Sequence, residues 1–316
     1  MKVYVKTPAR LHLGLIDLNG DLGRLFGGLG VGIDRPNVVL EAERSETLEV
    51  TGEKAEQVKT LAERFLEAYK VKSGVSVDVK QVIPEHAGLG SGTQLALAVV
   101  SALAKLFDVK ASVQELAEAM GRGQRTSVGT TIFEQGGFVV DGGKCTSEKR
   151  FPATIFRQPF PQNWRFVVAI PNVNKGLAKT EENQAFKALE PMKAEDAGRM
   201  CRLTMMKLLP ALVERDIKSF GEALTQIQIV IGDYFAAVQG GTYSSQAASE
   251  GIALLQKLGA YGAGQSSWGP AFYGVTQKET AKEIELKVKA FLRKGVGGQV
   301  FVAKANNRGA YIKVGR

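Results

Sequence analysis

At 316 residues the chain can bury one large core or two modest ones, and 44% apolar with 23% charged residues is an ordinary globular balance. The formal charge of +9 admits a nucleic-acid binder, but the basic residues are dispersed among acids, as over 41–54, and no run of five Lys or Arg occurs, which argues against one. Cys145 and Cys201 stand far apart without neighbouring His or Cys, which excludes zinc-ligand spacing and a disulfide framework and points to a reducing cytoplasm.

Taken in chain order, the pattern is α+β. Residues 2–6 and 38–42 read as strands, and 27–32 as a glycine-rich turn. Residues 55–69 read as a helix with Val58, Leu61, Phe65 and Leu66 on one face. Val75, Val77 and Val79 alternate with polar residues as in a half-buried strand, and 95–104, apolar except for Ser101, reads as a buried helix. A hairpin-like stretch at 136–145 closes the first half. The proline-bearing segment 151–163 marks a boundary between a domain of 1–155 and one of 156–316. The second domain opens with a strand at 165–170. Helices are expected at 179–189, 196–209, 217–238 and 245–258, and strands at 271–276 and 300–304 flank a helix at 278–292. Met200, Met205 and Met206 read as core. No run reaches the ~20 apolar residues of a membrane helix, and 1–7 alternates as a strand rather than a secretion signal.

The most informative stretch is Pro84-Glu85-His86-Ala87-Gly88-Leu89-Gly90-Ser91-Gly92-Thr93-Gln94, between a strand and a buried helix. Glycines at alternate positions let backbone N–H groups converge, and the helix N-terminus adds free N–H groups and the positive end of its dipole, so the loop reads as an anion site. It is not a P-loop, because Thr93 rather than Lys follows Gly92, and Thr93 also breaks a dinucleotide fingerprint. A Ser-His-Asp hydrolase is unsupported: Gly90-Ser91-Gly92 is no nucleophile elbow, and the two histidines, His12 and His86, both precede it. His86 beside the loop is either a surface residue or a phosphate contact.

Pro-x-x-x-Gly-Leu-Gly-Ser resembles the second motif of the GHMP kinase superfamily. Thr7-Pro8-Ala9-Arg10-Leu11-His12-Leu13 resembles its first motif, and Gly262-Ala263-Gly264-Gln265-Ser266-Ser267-Trp268-Gly269-Pro270 its third, in family order. The resemblance implies a two-domain GHMP-kinase-like fold. The N-terminal domain would be like ribosomal protein S5 domain 2 and the C-terminal one ferredoxin-like, with the active site between them. One departure is chemical: where kinases such as mevalonate kinase carry a proton-accepting aspartate, counting back from Gly136-Gly137 reaches Gly129.

Two further segments narrow the resemblance. Arg10 to Gly20 with Gly23-Arg24-Leu25-Phe26-Gly27-Gly28, and Gly123-Gln124-Arg125-Thr126-Ser127-Val128-Gly129 followed by Phe133-Glu134-Gln135-Gly136-Gly137, are similar to a non-kinase branch, the β-ribofuranosylaminobenzene 5′-phosphate synthases of methanopterin biosynthesis. That branch implies condensation of phosphoribosyl pyrophosphate with 4-aminobenzoate or 4-hydroxybenzoate, with loss of pyrophosphate and CO₂ and no use of ATP. The alternative is an ATP-dependent kinase of homoserine, mevalonate or pantoate type.

The expected site follows from this chemistry. Asp17 would face an oxocarbenium-like sugar, with Arg24 and His12 as the other catalytic candidates. Arg10, Gly88, Gly90, Ser91, Gly92, Thr93, Arg125, Lys175, Ser266 and Ser267 would bind substrate, and Arg122 is a further phosphate candidate. Trp268 would stack on the aromatic acid or pack between the domains. Mg²⁺ is expected to shield the donor's charge, with no ligands assigned. The expected partners are small molecules, not nucleic acid or membrane; a homodimer stays open.

Overall fold

The computed structural model describes residues 1–173 and 179–315. The elements of the first half are β1 (Lys2–Lys6), β2 (Ala9–Asp17), β3 (Arg24–Ile33), β4 (Val39–Ser45), β5 (Leu48–Gly52), α1 (Ala55–Ala68), β6 (Gly74–Gln81), α2 (Ser91–Phe107), α3 (Val113–Ala119), α4 (Val128–Gln135), β7 (Phe138–Asp141), β8 (Lys144–Cys145) and β9 (Thr154–Gln158). The second half adds β10 (Trp164–Pro171), α5 (Lys179–Ala188), α6 (Ala194–Leu203), a π-helical turn Thr204–Leu208, α7 (Leu209–Glu214), α8 (Ile217–Gln239), α9 (Gln246–Lys257), β11 (Gly262–Gln265), β12 (Phe272–Gln277), α10 (Lys278–Lys294), β13 (Gly298–Ala303) and β14 (Tyr311–Gly315).

The first domain holds two sheets, ordered β14-β1-β4-β6-β5 and β2-β3-β7-β9, with β8 paired to β3. Helix α2 is buried over most of its length, because its apolar residues run all round the helix and it packs on β1, β4, α1 and α4. The second domain carries an antiparallel sheet ordered β11-β12-β10-β13. Taking β10, α8, β11, β12, α10 and β13 in turn, this is the ferredoxin-like order. Phe138 of β7 meets Phe220 of α8 with ring centroids 6.1 Å apart, and Phe220 also packs on Phe160 and Trp164, so one apolar core runs through both domains. Among the described residues no helix is long and apolar enough to cross a membrane.

Four expectations need correction. The 155/156 division falls inside β9, which pairs with β7 of the first domain, and β14 returns to pair with β1. The stretch at 136–145 is not a hairpin, because β7 and β8 both pair with β3 rather than with each other. Residues 27–32 are strand, not turn. A β-carbon on Gly30 would collide with Val128 and the Leu11 carbonyl, so the glycines exist to let α4 lie directly on β3. Finally, Met200 is buried, but Met205 and Met206 are exposed. The π-helical turn adds a residue to the helical register and swings them outward.

Candidate active site

A cleft of about 470 Å³ opens between the domains. Its floor is the glycine loop entering α2. Gly90 is the N-cap in a left-handed conformation and no side chain caps the helix, so its first N–H groups face the cleft region unsatisfied by side chains. The loop is clamped from the other domain. Ser266 Oγ donates to the Gly88 carbonyl at 2.7 Å and accepts from the His12 N–H at 2.9 Å. Arg10 Nη1 donates to the same Gly88 carbonyl at 3.2 Å. Gly88 has φ +80°, and a β-carbon there would overlap the Ser266 carbonyl oxygen. All three glycine-rich or N-terminal motifs therefore meet at one carbonyl.

Charge and apolar surface divide the cleft. At the α2 end, Arg10 lies along Gly90, its Cγ 2.7 Å from where a β-carbon would stand, and Arg122 Nη1 lies 3.3 Å from the equivalent point on Gly92. Burial lowers the Arg10 pKa to about 10 while the field of Glu182 raises it, so the guanidinium stays charged at neutral pH. Elsewhere on the lining Phe186, Phe235 and Trp268 form an aromatic box whose rings pack on one another, with Phe235 and Trp268 4.4 Å apart, Phe186 5.5 Å from Trp268 and 5.8 Å from Phe235. Arg125 caps it. Its guanidinium carbon lies 4.6 Å from the Phe186 ring centre, and it pairs with Glu182 at 2.9 Å. Glu182 also accepts from Trp268 Nε1 at 3.1 Å.

His12 is buried at the cleft wall, and burial, followed by the Arg10 charge, lowers its pKa to about 3. It is a neutral imidazole through the physiological range. Unfolding restores a value near 6.5, so the unfolded chain binds the extra proton between these limits. The stabilisation from burying it neutral is complete above pH ~6.5 and is lost progressively as pH falls toward ~3. Denaturant unfolding at pH 7.5 and 5.0 should show His12→Asn losing about 2 kcal/mol less stability than the parent on acidification. Equal losses would contradict the buried neutral state.

Most expected residues meet in the cleft: Arg10, His12, Gly88, Gly90, Ser91, Gly92, Thr93, Arg125 and Ser267 line it, as does exposed His86. Ser266 lies behind the wall as a clamp. Trp268 is only 8% exposed and packs on Phe186 and Phe235, yet it lines the cleft. Lys175 lies outside the described residues. Asp17 and Arg24 are corrections, since neither lines the cleft. Asp17 Oδ1 accepts the N–H groups of Asn19 and Gly20 and so closes the turn after β2. Arg24 donates to the carbonyls of Gly142 and Gly143. The buried Asp141 carboxylate beside that turn takes N–H bonds from Gly28, Ser127 and Gly143, and its burial raises its pKa despite them. The N-terminal signature thus ties β3, α4 and β7 together.

Sequence reasoning missed Glu182 and Phe186 on α5, and Gln228 and Phe235 on α8. Glu182 and Phe186 stand four apart, and Gln228, Ile231, Phe235 and Gln239 recur at three- and four-residue steps, so each set shares a helix face. At Gly129, the position of the kinase aspartate, a β-carbon would stand 3.1 Å from Thr93 Cγ2, and the Gly129 carbonyl accepts from Gln94 Nε2. Among the described residues the carboxylates lining the cleft are Glu85, paired with Lys54, and Glu182.

The model of the GHMP kinase N-terminal domain matches residues 56–137 and that of the GHMP kinase C-terminal domain residues 208–294, together over half the chain. A homoserine kinase structure from Cytophaga hutchinsonii superposes with a TM-score of 0.71 at 18% identity, covering 99% of this chain and 97% of that one, an agreement of fold. Fold and site thus define a member of the GHMP superfamily. Two relatives share more. The β-ribofuranosylphenol 5′-phosphate synthase of Archaeoglobus fulgidus is 36% identical over 98% of this chain and 99% of its own length. That of Methanothermobacter thermautotrophicus is 33% identical over 99% of both. The chain belongs to the β-ribofuranosylphenol 5′-phosphate synthase family and is an enzyme.

Proposed function

We propose that the protein condenses phosphoribosyl pyrophosphate with 4-hydroxybenzoate or 4-aminobenzoate, releasing pyrophosphate and CO₂, as a step of tetrahydromethanopterin biosynthesis. The observation that carries this reading is the division of one cleft into an uncapped helix N-terminus flanked by Arg10 and Arg122 and a box of three aromatic rings. The first suits a donor that carries a phosphate and a pyrophosphate, the second a flat ring. The relatives' product name, a ribofuranosylphenol, favours the hydroxyl-bearing acid.

The electron count needs no base. The C1′–O bond breaks with its pair leaving on pyrophosphate, and the ring carbon bearing the carboxylate bonds to C1′. The ring–carboxylate bond then breaks, its pair restores aromaticity, and CO₂ departs. A proton-accepting aspartate would have nothing to do, which agrees with Gly129. Glu182, between Arg125 and Trp268, takes the part expected of Asp17 and faces the developing sugar cation. Magnesium would screen the donor's charge. The Ser91 and Thr93 hydroxyls, which line the cleft, would offer it hard oxygen donors.

The kinase alternative is separated by nucleotide turnover. Supplied with both ATP and phosphoribosyl pyrophosphate plus either acid, the enzyme should consume the second donor and leave ATP intact. ATP converted to ADP with homoserine, mevalonate or pantoate as phosphoryl acceptor, and with both benzoic acids inert, would overturn the reading.

A further inference from the structure

We infer that Arg122, beside Gly92 at the start of α2, is the clamp for the departing pyrophosphate, and that the donor's 5′-phosphate lies elsewhere in the cleft. The inference rests on the proposed reaction and assigns one end of its donor. Three observations combine. Arg122 and Arg10 both line the cleft, and among the described residues neither has a carboxylate within ion-pair distance, whereas Arg125 is already paired with Glu182. Arg122 Nε is buried and has no hydrogen-bond partner among the described residues, a cost that an anion in the cleft would relieve. Burial, and secondarily the like charge of Arg64, lower the Arg122 pKa, so the guanidinium is held in a place that disfavours its charge until an anion arrives.

Direction follows from the reaction. The ring attacks from the aromatic box, which Arg125 caps, so the leaving group must depart on the far side of C1′. The loop 121–126 supplies Arg122 toward Gly92 and Arg125 toward Phe186, so a single loop reaches both ends of that line. As the C1′–O bond breaks, pyrophosphate gains a further negative charge. The contact with Arg122 is therefore stronger in the transition state than with the intact donor, and its loss should appear in kcat as well as in binding.

The test is calorimetric titration of the folded protein with inorganic pyrophosphate and, separately, ribose 5-phosphate, alongside steady-state kinetics. Arg122→Gln should weaken pyrophosphate at least ~10-fold, leave ribose 5-phosphate within about twofold, and lower kcat by about 10². Arg122→Lys should recover part of both losses, because the point charge remains while the planar fork is gone. Should Arg122→Gln fail to fold, Arg122→Lys carries the comparison, with weakening confined to pyrophosphate. Unchanged pyrophosphate binding and kcat, or a loss confined to ribose 5-phosphate, would overturn the assignment. The titration is independent of turnover. Arg122-dependent pyrophosphate binding in a protein without synthase activity would refute the reaction while keeping the clamp.

Discussion

Gly88→Ala should abolish measurable synthase activity, with a loss of more than ~10² in kcat/KM, while the domains still fold. The residue holds φ +80°, which costs a side chain roughly 1–2 kcal/mol before any contact is counted. The steric clash matters more. The new methyl would overlap the Ser266 carbonyl, a backbone atom fixed by the β11–β12 turn, so it cannot be relieved by a rotamer. The loop must move, and the bonds from Arg10 and Ser266 to the Gly88 carbonyl move with it. A displacement near 1 Å at a donor-binding loop is enough for about 10² in rate. Gly90→Val tests the same floor less severely, because the obstacle there is the Arg10 side chain, which can shift. Donor titration should show Gly88→Ala weaker than Gly90→Val, and parent-like binding in Gly88→Ala would remove the loop from the site.

Trp268→Ala should lower stability by about 3–5 kcal/mol and raise KM for the aromatic acid at least ~10-fold, while KM for phosphoribosyl pyrophosphate changes little. The indole is nearly buried against Phe186 and Phe235 and holds Glu182 through Nε1. Its removal opens a cavity and frees the carboxylate that pairs with Arg125. Trp268→Phe should restore most of the stability while leaving the Glu182 contact broken, so the packing and hydrogen-bonding parts separate. Melting curves and the two KM values read the outcome. A large stability loss with an unchanged KM for the acid would make the box a core element and not a binding surface.

The two halves of the site were unequally legible in the sequence. The anion floor was readable because its chemistry is local. Gly88, Gly90 and Ser91 lie in one stretch ahead of an apolar helix, and backbone N–H groups at a helix start need no distant partner. The clamp at Ser266 came with the third motif, although nothing in the spacing told that its hydroxyl, rather than that of Ser267, reaches Gly88. The aromatic box was only partly readable. Trp268 was singled out, but Phe186 and Phe235 come from two helices whose shared face exists only after α5 and α8 pack together. Asp17 and Arg24 misled for the opposite reason. A charged pair near glycines looks like a site, yet both side chains direct their hydrogen bonds to neighbouring backbone. Much of the secondary structure followed from periodicity. The glycine-rich β3 did not, because glycine erases the apolar alternation by which a strand is recognised.

One cleft that joins a phosphoribosyl donor to an aromatic acid, with loss of the acid's carboxylate, is tested most directly by following that carboxylate. The measurement uses 4-hydroxybenzoate labelled at the carboxyl carbon, with phosphoribosyl pyrophosphate and Mg²⁺ and without ATP. Labelled CO₂ and pyrophosphate should be released in equal amounts, strictly dependent on the donor, and the product should carry the ribose on the ring carbon that lost the carboxylate. Pyrophosphate released with the label retained in an ester or ring-linked acid, or label released without the donor, would contradict this chemistry.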